Sequence, residues 1–98
     1  MKTQQNAIRS EALTLAWQIV RKARMPFVSA QAKAWATVKL KAQMQVQPVS
    51  FTYIKDDGTI RTATGQYMSE GSAPLVIRYF DTPANAWRSF RADRLVIA

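Results

Sequence analysis

The stretch WRSFRADRL, residues 87–95, concentrates the residues of this chain that could do chemistry. Its three arginines are Arg88, Arg91 and Arg94. Guanidinium groups bind phosphate and carboxylate through paired N–H donors, so the stretch predicts an anion-binding patch. Successive side chains of a strand point to opposite faces, which places Arg88 on one face and Arg91 on the other. The pattern therefore predicts that the three arginines do not all serve one site.

The acid in this stretch leaves two roles open for Arg94. Asp93 lies between Arg91 and Arg94 and is the natural ion-pair partner for one of them. An arginine beside an acid and an apolar segment is often architectural, so Arg94 either closes the fold by pairing with Asp93 or another acid, or binds a ligand. A ligand role is favoured for Arg88 and Arg91. Arg61 is a weaker candidate because solvated strand arginines are common, and the same holds for Arg78.

Catalytic chemistry has little support in the composition. The chain has no His and no Cys, which excludes cysteine nucleophiles, histidine-based triads and thiolate or imidazole zinc sites. Two of its six acids, Asp56 and Asp57, belong to a predicted hairpin turn, and no other pair has the spacing of two carboxylates that meet. The sequence predicts a protein that is not an enzyme and that uses no metal or cofactor.

The positive charge of +8 is concentrated in the first half of the chain. Residues 1–48 hold eight Lys and Arg against Glu11 alone, whereas residues 49–98 hold six against five acids. Clustered cations attract phosphates, so nucleic acid is one predicted partner. The same charge equally favours an acidic protein surface. The lysines assigned to this basic surface are Lys33, Lys39 and Lys41.

Two helices are predicted before residue 48. The first spans about 10–24, with Ser10 as its N-cap, and ends at Pro26. The second begins after the cap candidate Ser29 and runs to about 44. Both segments lack Gly and carry apolar residues three and four apart, which is typical of amphipathic helices. Together they form a predicted basic helical hairpin over residues 10–44.

Each predicted helix carries one tryptophan on its apolar stripe, in the repeated patterns AWQIV and AWATV. Helical aromatic residues usually pack in a core, so Trp17 and Trp35 are predicted to be buried against each other or against the second half of the chain. The length favours one domain over residues 1–98.

Alternation of apolar and polar residues begins after Pro48 and predicts strands. DDGT supplies a hairpin turn in which Gly58 takes a positive φ. Five short strands in fifty residues predict a closed or nearly closed barrel over residues 49–97, because so short a segment cannot fill two sheets. The predicted strands are VSFTYIK, IRTATGQY, LVIRYF, WRSFR and LVIA.

The segments FTYIKDDGTIRTATG and LVIRYFDTPANAWRSFRADRL resemble the WYL domain, an Sm-like or SH3-like β-barrel of bacterial regulators and defence-associated proteins. They resemble most closely the small WYL-like barrel proteins of gut Bacteroidetes and their phages. The resemblance implies an α+β fold in which a helical hairpin precedes a five-stranded SH3-like barrel. It also implies that Arg88, Arg91 and Arg94 line a site for nucleotide-like or nucleic-acid ligands. Leu75, Val76 and Ile77 replace the tripeptide that names the family.

Two functional hypotheses follow. The first is a non-catalytic regulatory module that binds nucleic acid or another anionic ligand through the basic helical half and the barrel arginines. The alternative is a phage or bacterial protein-interaction module, for example a modulator of a host factor or a defence system, that docks on an acidic protein surface. The N-terminus has no apolar signal segment and no stretch is long and apolar enough to span a bilayer, so we expect a cytoplasmic protein without a membrane partner. The sequence leaves the oligomeric state open.

Overall fold

Two helices precede a four-stranded antiparallel sheet in the computed structural model, which describes residues 2–97 and their side chains from residue 9 onward. The strands follow one another in the sheet in chain order. Within the part of the chain described, no helix is both long and apolar enough to cross a membrane. The elements are α1 Lys2–Ala23, α2 Phe27–Val46, β1 Val49–Ile54, β2 Ile60–Met68, β3 Val76–Asp81, β4 Ala86–Arg91 and the 3-10 turn η1 Ala92–Arg94.

Both helices are longer than the sequence predicts. The residues before Ser10 include neither Gly nor Pro, so α1 continues through them and Ser10 lies inside the helix rather than at its cap. Arg24 has a φ of 54°, which takes the chain out of α1. Pro26, not Ser29, stands at the N-cap of α2, because the fixed φ of proline suits the position before a first helical turn.

The buried face of α1 differs from the predicted stripe. Ala12, Leu15, Ala16 and Ile19 are buried, whereas Trp17 is 47% exposed. Small side chains let two helices approach closely, and an indole between the helices would hold them apart. Trp17 packs instead on Phe27 at the start of α2, with ring centroids 4.5 Å apart. The prediction that Trp17 is buried is therefore wrong, and Trp35 is only half-buried.

Two hydrophobic clusters hold the fold together, and α2 contributes to both. Ala34 and Val38 of α2 pack in a cluster of mostly small residues between the helices, whereas Leu40 and Met44 pack on the sheet. Because one helix serves both clusters, the helical hairpin and the sheet are packed as neighbours rather than joined by a linker. The aromatic centre of the sheet cluster is formed by Phe51, Tyr53, Tyr79 and Phe90.

The β1–β2 hairpin confirms the predicted turn. Gly58 has a φ of +88°, a conformation that a side chain with a Cβ adopts with strain. The sheet face towards the core alternates as predicted, with Phe51 and Tyr53 buried in β1. Gly65 of β2 lies under the Tyr79 ring, where a Cβ would come within 2.6 Å of that ring. A residue without a side chain is therefore required at this position.

The predicted fifth strand is absent from the described residues, and the sheet is not a closed barrel. After β4 the chain turns through η1, so that only Leu95 comes into register with β1, through a single bridge to Tyr53. The backbone N–H of Val96 adds one hydrogen bond to the carbonyl oxygen of Thr52, at 2.9 Å. Ala98, the last residue of that predicted strand, lies outside the described residues. The prediction of five strands is wrong, because the chain leaves the sheet at η1 and the residues after η1 make only one bridge to β1.

Candidate anion-binding cleft

An open cleft of about 500 Å³ lies where β4 approaches the end of the β1–β2 hairpin. We call it the arginine cleft, because four arginines line it: Arg61, Arg88, Arg91 and Arg94. The hairpin also contributes Lys55, and Asp56 and Asp57 are the two acids in the lining. Cations therefore outnumber carboxylates along its walls.

The convergence of Arg88, Arg91 and Arg94 corrects the prediction that they do not share a site. The strand alternation itself is as predicted, because Arg88 shares the inner face of β4 with the buried Phe90 while Arg91 lies on the outer face. However, β4 is an edge strand of the four-stranded sheet. A cleft that runs along a free edge is reached from both faces of the strand. Both arginines therefore line the same cleft.

Arg88 is held by a nearly buried carboxylate. Its Nε donates to Oδ2 of Asp81 at 2.9 Å, and the Asp81 side chain is 9% exposed whereas that of Arg88 is 34% exposed. The other oxygen of Asp81 accepts the backbone N–H of Ala84 at 3.2 Å, in the turn after β3. The turn after β3 therefore holds Asp81 in place, and Asp81 holds the guanidinium of Arg88 in place.

Arg91 is held in the same way. Its Nε donates to Oδ1 of Asp93 at 3.0 Å, with 35% of the Arg91 side chain and 9% of the Asp93 side chain exposed. This contact identifies Arg91 as the predicted ion-pair partner of Asp93. In both pairs the carboxylate accepts from Nε, and the two terminal Nη groups of each guanidinium make no hydrogen bond to any described residue. Those groups form the fork that matches a phosphate or a carboxylate.

Arg94 makes a different kind of ion pair. Its Nη1 donates to Oδ1 of Asp56 at 2.7 Å, but the Asp56 side chain is 97% exposed. The acid comes from the hairpin turn, so the contact joins η1 to the β1–β2 hairpin across the cleft. Ion pairs with an exposed partner contribute at most about 1 kcal/mol to stability. The partner of Arg94 is therefore Asp56 rather than Asp93, which is the second possibility that the sequence left open. The ion pair is solvated rather than enclosed.

Tyr53 lines the inner wall of the cleft near Arg61, and the fully buried Tyr79 lies behind it. Tyr53 lies opposite Arg61 in the β1–β2 register, and its hydroxyl is 2.8 Å from that of Tyr79 in the core. Burial raises the pKa of Tyr79 well above its ordinary value, and the hydrogen bond with Tyr53 raises it further. Both rings belong to the aromatic cluster of the sheet. The wall of the cleft beneath the arginines is therefore backed by the packed aromatic core.

Trp87 stands at the mouth of the cleft and is 47% exposed. It is held on the outer face of the sheet by Phe80, whose ring centroid lies 4.8 Å from its own, and by the Arg78 guanidinium, 4.9 Å from its ring. Arg78, a predicted site residue, does not line the cleft. It touches the lining only through its contact with Trp87. An indole fixed beside several arginines offers a stacking surface next to anion-binding groups.

The three predicted lysines lie away from the arginine cleft, each with a local contact. Lys33 donates its Nζ to the carbonyl oxygen of Leu95 at 2.6 Å. Lys39 lies 5.7 Å from the ring centre of Trp35. Lys41 forms an ion pair with Glu11 and also lies over a tyrosine ring of β2. The contacts of Lys41 join α2 to α1 and to β2, that of Lys33 joins α2 to the segment after η1, and that of Lys39 lies within α2.

Three cleft residues have no counterpart among the predicted site residues: the anchor Asp81, and Lys55 and Trp87 in the lining. Asp81 falls just outside the predicted strand LVIRYF, although it continues the inward alternation of Ile77 and Tyr79 and so faces the same side as Arg88. That alternation is a signal that could have identified the pair. No such signal exists for Lys55 and Trp87, because they meet at the cleft only when the β1–β2 hairpin and β4 come together in the fold.

The chemistry that the cleft offers is binding by fixed cations. Among residues 9–97, no group of three or more acidic side chains is placed to hold a metal ion. Asp57 is occupied within its own turn, where hydrogen bonds from the hydroxyl and the backbone N–H of Thr59 lower its pKa. The arrangement is therefore suited to recognising an anion.

Comparison with known proteins identifies one family. The family model described as WYL_2, Sm-like SH3 β-barrel fold, matches residues 37–96, which include the later part of α2 and all four strands. No curated protein and no solved structure gives a match. The match covers Arg61, Arg88, Arg91 and Arg94 and therefore the whole arginine cleft.

Proposed function

The chain belongs to the WYL_2 family of Sm-like SH3 β-barrel folds, and on that premise we propose that its arginine cleft binds single-stranded nucleic acid. The observation that carries the proposal is the matched anchoring of Arg88 and Arg91. Each is held at Nε by a carboxylate that is 9% exposed, and each keeps its terminal Nη groups free to donate. Fixing a side chain before the ligand arrives reduces the entropy lost on binding.

Trp87 favours a nucleic acid over a simple anion. Bases stack on exposed aromatic rings, and each stacked base contributes about 1–3 kcal/mol to affinity. Trp87 is half exposed at the mouth of the same cleft that holds the arginines. A strand whose backbone follows the arginines can place an unpaired base on this ring, whereas the bases of a duplex are already stacked on each other.

The basic helical half supports the proposal at longer range. Residues 1–48 contain eight Lys and Arg and a single acid. Their field attracts a polyanion and accelerates its encounter with the protein, without specifying where it binds. Because the fold of this family is in general not an enzymatic one, we infer a regulatory role in which the bound strand is recognised and left chemically unchanged.

The experiment is fluorescence anisotropy with labelled single-stranded DNA and RNA, and with the matching duplexes, at about 50 and 200 mM salt. The wild type should bind single strands more tightly than duplexes, with an affinity that falls steeply as salt rises. Absence of binding at the lower salt concentration contradicts the proposal. Equal affinity for duplexes contradicts the role of Trp87.

Arg88→Lys provides the decisive variant because it keeps the charge and loses the planar fork. We expect a loss of about tenfold in affinity, which corresponds to about 1.4 kcal/mol. Lys22→Ala is the control for net charge, since it removes a charge from an exposed position on α1 outside the cleft. If Lys22→Ala weakens binding by about tenfold and Arg88→Lys, which keeps the charge, does not, net charge rather than the cleft is responsible.

A further inference from the structure

A row of exposed residues four apart runs along α1, and we call it the α1 ridge: Arg9, Leu13, Trp17 and Arg21. Residues four apart lie above one another on a helix and form the ridges that pack into the grooves of a neighbouring helix. The buried face of α1 already packs on α2 through other residues. The α1 ridge lies beside that contact: Trp17 touches Phe27 of α2, but about half of Trp17 and of Leu13 stays exposed within the described part of the chain.

The centre of the α1 ridge is apolar and its two ends are basic. Leu13 is 51% exposed and Trp17 is 47% exposed, while Arg9 and Arg21 are exposed on either side. Phe27 of α2 packs against Trp17 and holds its ring in place. The row is about 18 Å long, since each residue of a helix rises by about 1.5 Å. An apolar centre that a partner would bury, surrounded by a charged rim, is the arrangement of a protein interface.

We propose that the α1 ridge docks an acidic amphipathic helix of another protein. Leu13 and Trp17 would insert between apolar side chains of that helix, and acidic residues at its ends would pair with Arg9 and Arg21. Charge complementarity selects this occupant, because the helical half carries eight Lys and Arg and one acid. A second copy of the chain would bring two such basic halves together and is disfavoured by repulsion. A nucleic acid would pair with the arginines but would leave Leu13 without an apolar partner.

The test uses three synthetic helical peptides of about 20 residues, a length at which an isolated amphipathic helix can form in water. All three carry the same apolar stripe, and their net charges are about −6, 0 and +6. Isothermal titration calorimetry should show binding of the acidic peptide alone. Failure of the acidic peptide to bind, or binding of all three, overturns the proposal.

Two pairs of variants locate the surface. Leu13→Glu should weaken the acidic peptide by at least about tenfold, whereas Ile60→Glu, at an apolar position that is 69% exposed on the β1–β2 hairpin, should change the affinity little. Arg21→Glu should weaken it more than Lys22→Glu, which places the same charge change on a neighbouring exposed residue. Circular dichroism of each variant checks that the helices remain folded. Equal losses within either pair overturn the assignment to the ridge.

Nucleic acid and the arginine cleft are tested in the same series. If single-stranded or duplex DNA binds and is weakened by Arg21→Glu but not by Leu13→Glu, the ridge is a nucleic-acid surface and the proposal is wrong. Arg88→Ala should leave the affinity for the acidic peptide unchanged, because Arg88 lies in the arginine cleft. Peptide binding that is lost in Arg88→Ala would place the peptide in the cleft and overturn the docking proposal.

Discussion

The arginine cleft and the helical half are both basic, but they hold their cations differently. In the cleft, Arg88 and Arg91 are fixed by carboxylates that are almost buried. On α1, Arg21 and Lys22 are exposed in the last helical turn, where their charges suit the helix dipole and are otherwise solvated. The helical half has the larger net charge, and the cleft has the better-defined donors.

Net charge and a binding site are therefore separate properties of a basic protein. A solvated lysine attracts any polyanion and is screened by salt. An arginine held at Nε presents its remaining donors in one direction, so it can distinguish ligands by shape. If the cleft binds the proposed ligand, the acids that hold its arginines should make that binding selective. Four experiments, given in order of decreasing expected effect, test this contrast.

Asp81→Ala should have the largest effect, because it removes both the anchor of Arg88 and the acceptor for the turn after β3. We expect the free energy of unfolding to fall by about 3 kcal/mol, as measured by urea denaturation. Asp56→Ala is the control, since its carboxylate is 97% exposed and should contribute little. Equal losses in the two variants would show that burial of the carboxylate is unimportant.

Arg88→Ala and Arg91→Ala should each cost about 2 kcal/mol, since each leaves a nearly buried carboxylate without its partner. Arg94→Ala should cost less than about 1 kcal/mol, because its partner is solvated. This order is the reverse of the one expected from the sequence if Arg94 closes the fold, which is one of the two roles that the sequence leaves open for it. Thermal melts of the three variants measure it. If Arg94→Ala lost the most stability of the three variants, Arg94 would be the arginine that stabilises the fold and the predicted order would be wrong.

Alkaline pH should destabilise the fold through Tyr79, which is buried behind Tyr53 in the sheet core. Its ordinary pKa is 10.0 and burial raises the pKa in the folded state, so above pH 10 the unfolded chain releases a proton that the folded protein retains. The stabilising contribution is thus complete below pH 10 and falls by about 1.4 kcal/mol per pH unit above it. Urea midpoints between about pH 9 and 11 should show this fall. Tyr79→Phe should reduce the pH dependence, and an unchanged slope would mean that other groups cause it.

Lys22→Ala should have the smallest effect of the four. Its side chain is exposed in the last turn of α1 and its charge is solvated. We expect a change within about 0.5 kcal/mol in the free energy of unfolding, measured by the same urea denaturation. A loss as large as that of Arg91→Ala would remove the distinction between anchored and solvated cations.

The sequence predicts the local features of this molecule well. Gly58 and the alternation through β1 depend on neighbouring residues only, and both are confirmed. Asp93 was named as a partner for an adjacent arginine because the two are close in the chain, and Arg91 is that arginine. Features set by a few consecutive residues are therefore readable before the structure is known.

The features that the sequence missed depend on contacts between distant segments. Trp17 was placed in the core because it lies on an apolar stripe, but alanines on the adjoining face allow closer packing. The three arginines were expected to point apart, which is true of one strand but not of a cleft along its edge. Asp56 reaches Arg94 across 38 positions of the chain, and no local pattern encodes that distance.

The bridge between Leu95 and Tyr53 has a consequence for how the protein folds. Each neighbouring pair of strands is joined by a short connection, so these hairpins can form early from local contacts. By contrast, the contact of Lys33 with the Leu95 carbonyl closes a loop of 62 positions and the bridge to Tyr53 rests on a single pairing. We expect this seam to form last and to open first, so that the amide of Val96 exchanges its hydrogen with solvent far sooner than that of Tyr79. Leu95, the first residue of the seam, directly follows Arg94, so the step expected to come last in folding also completes the arginine cleft.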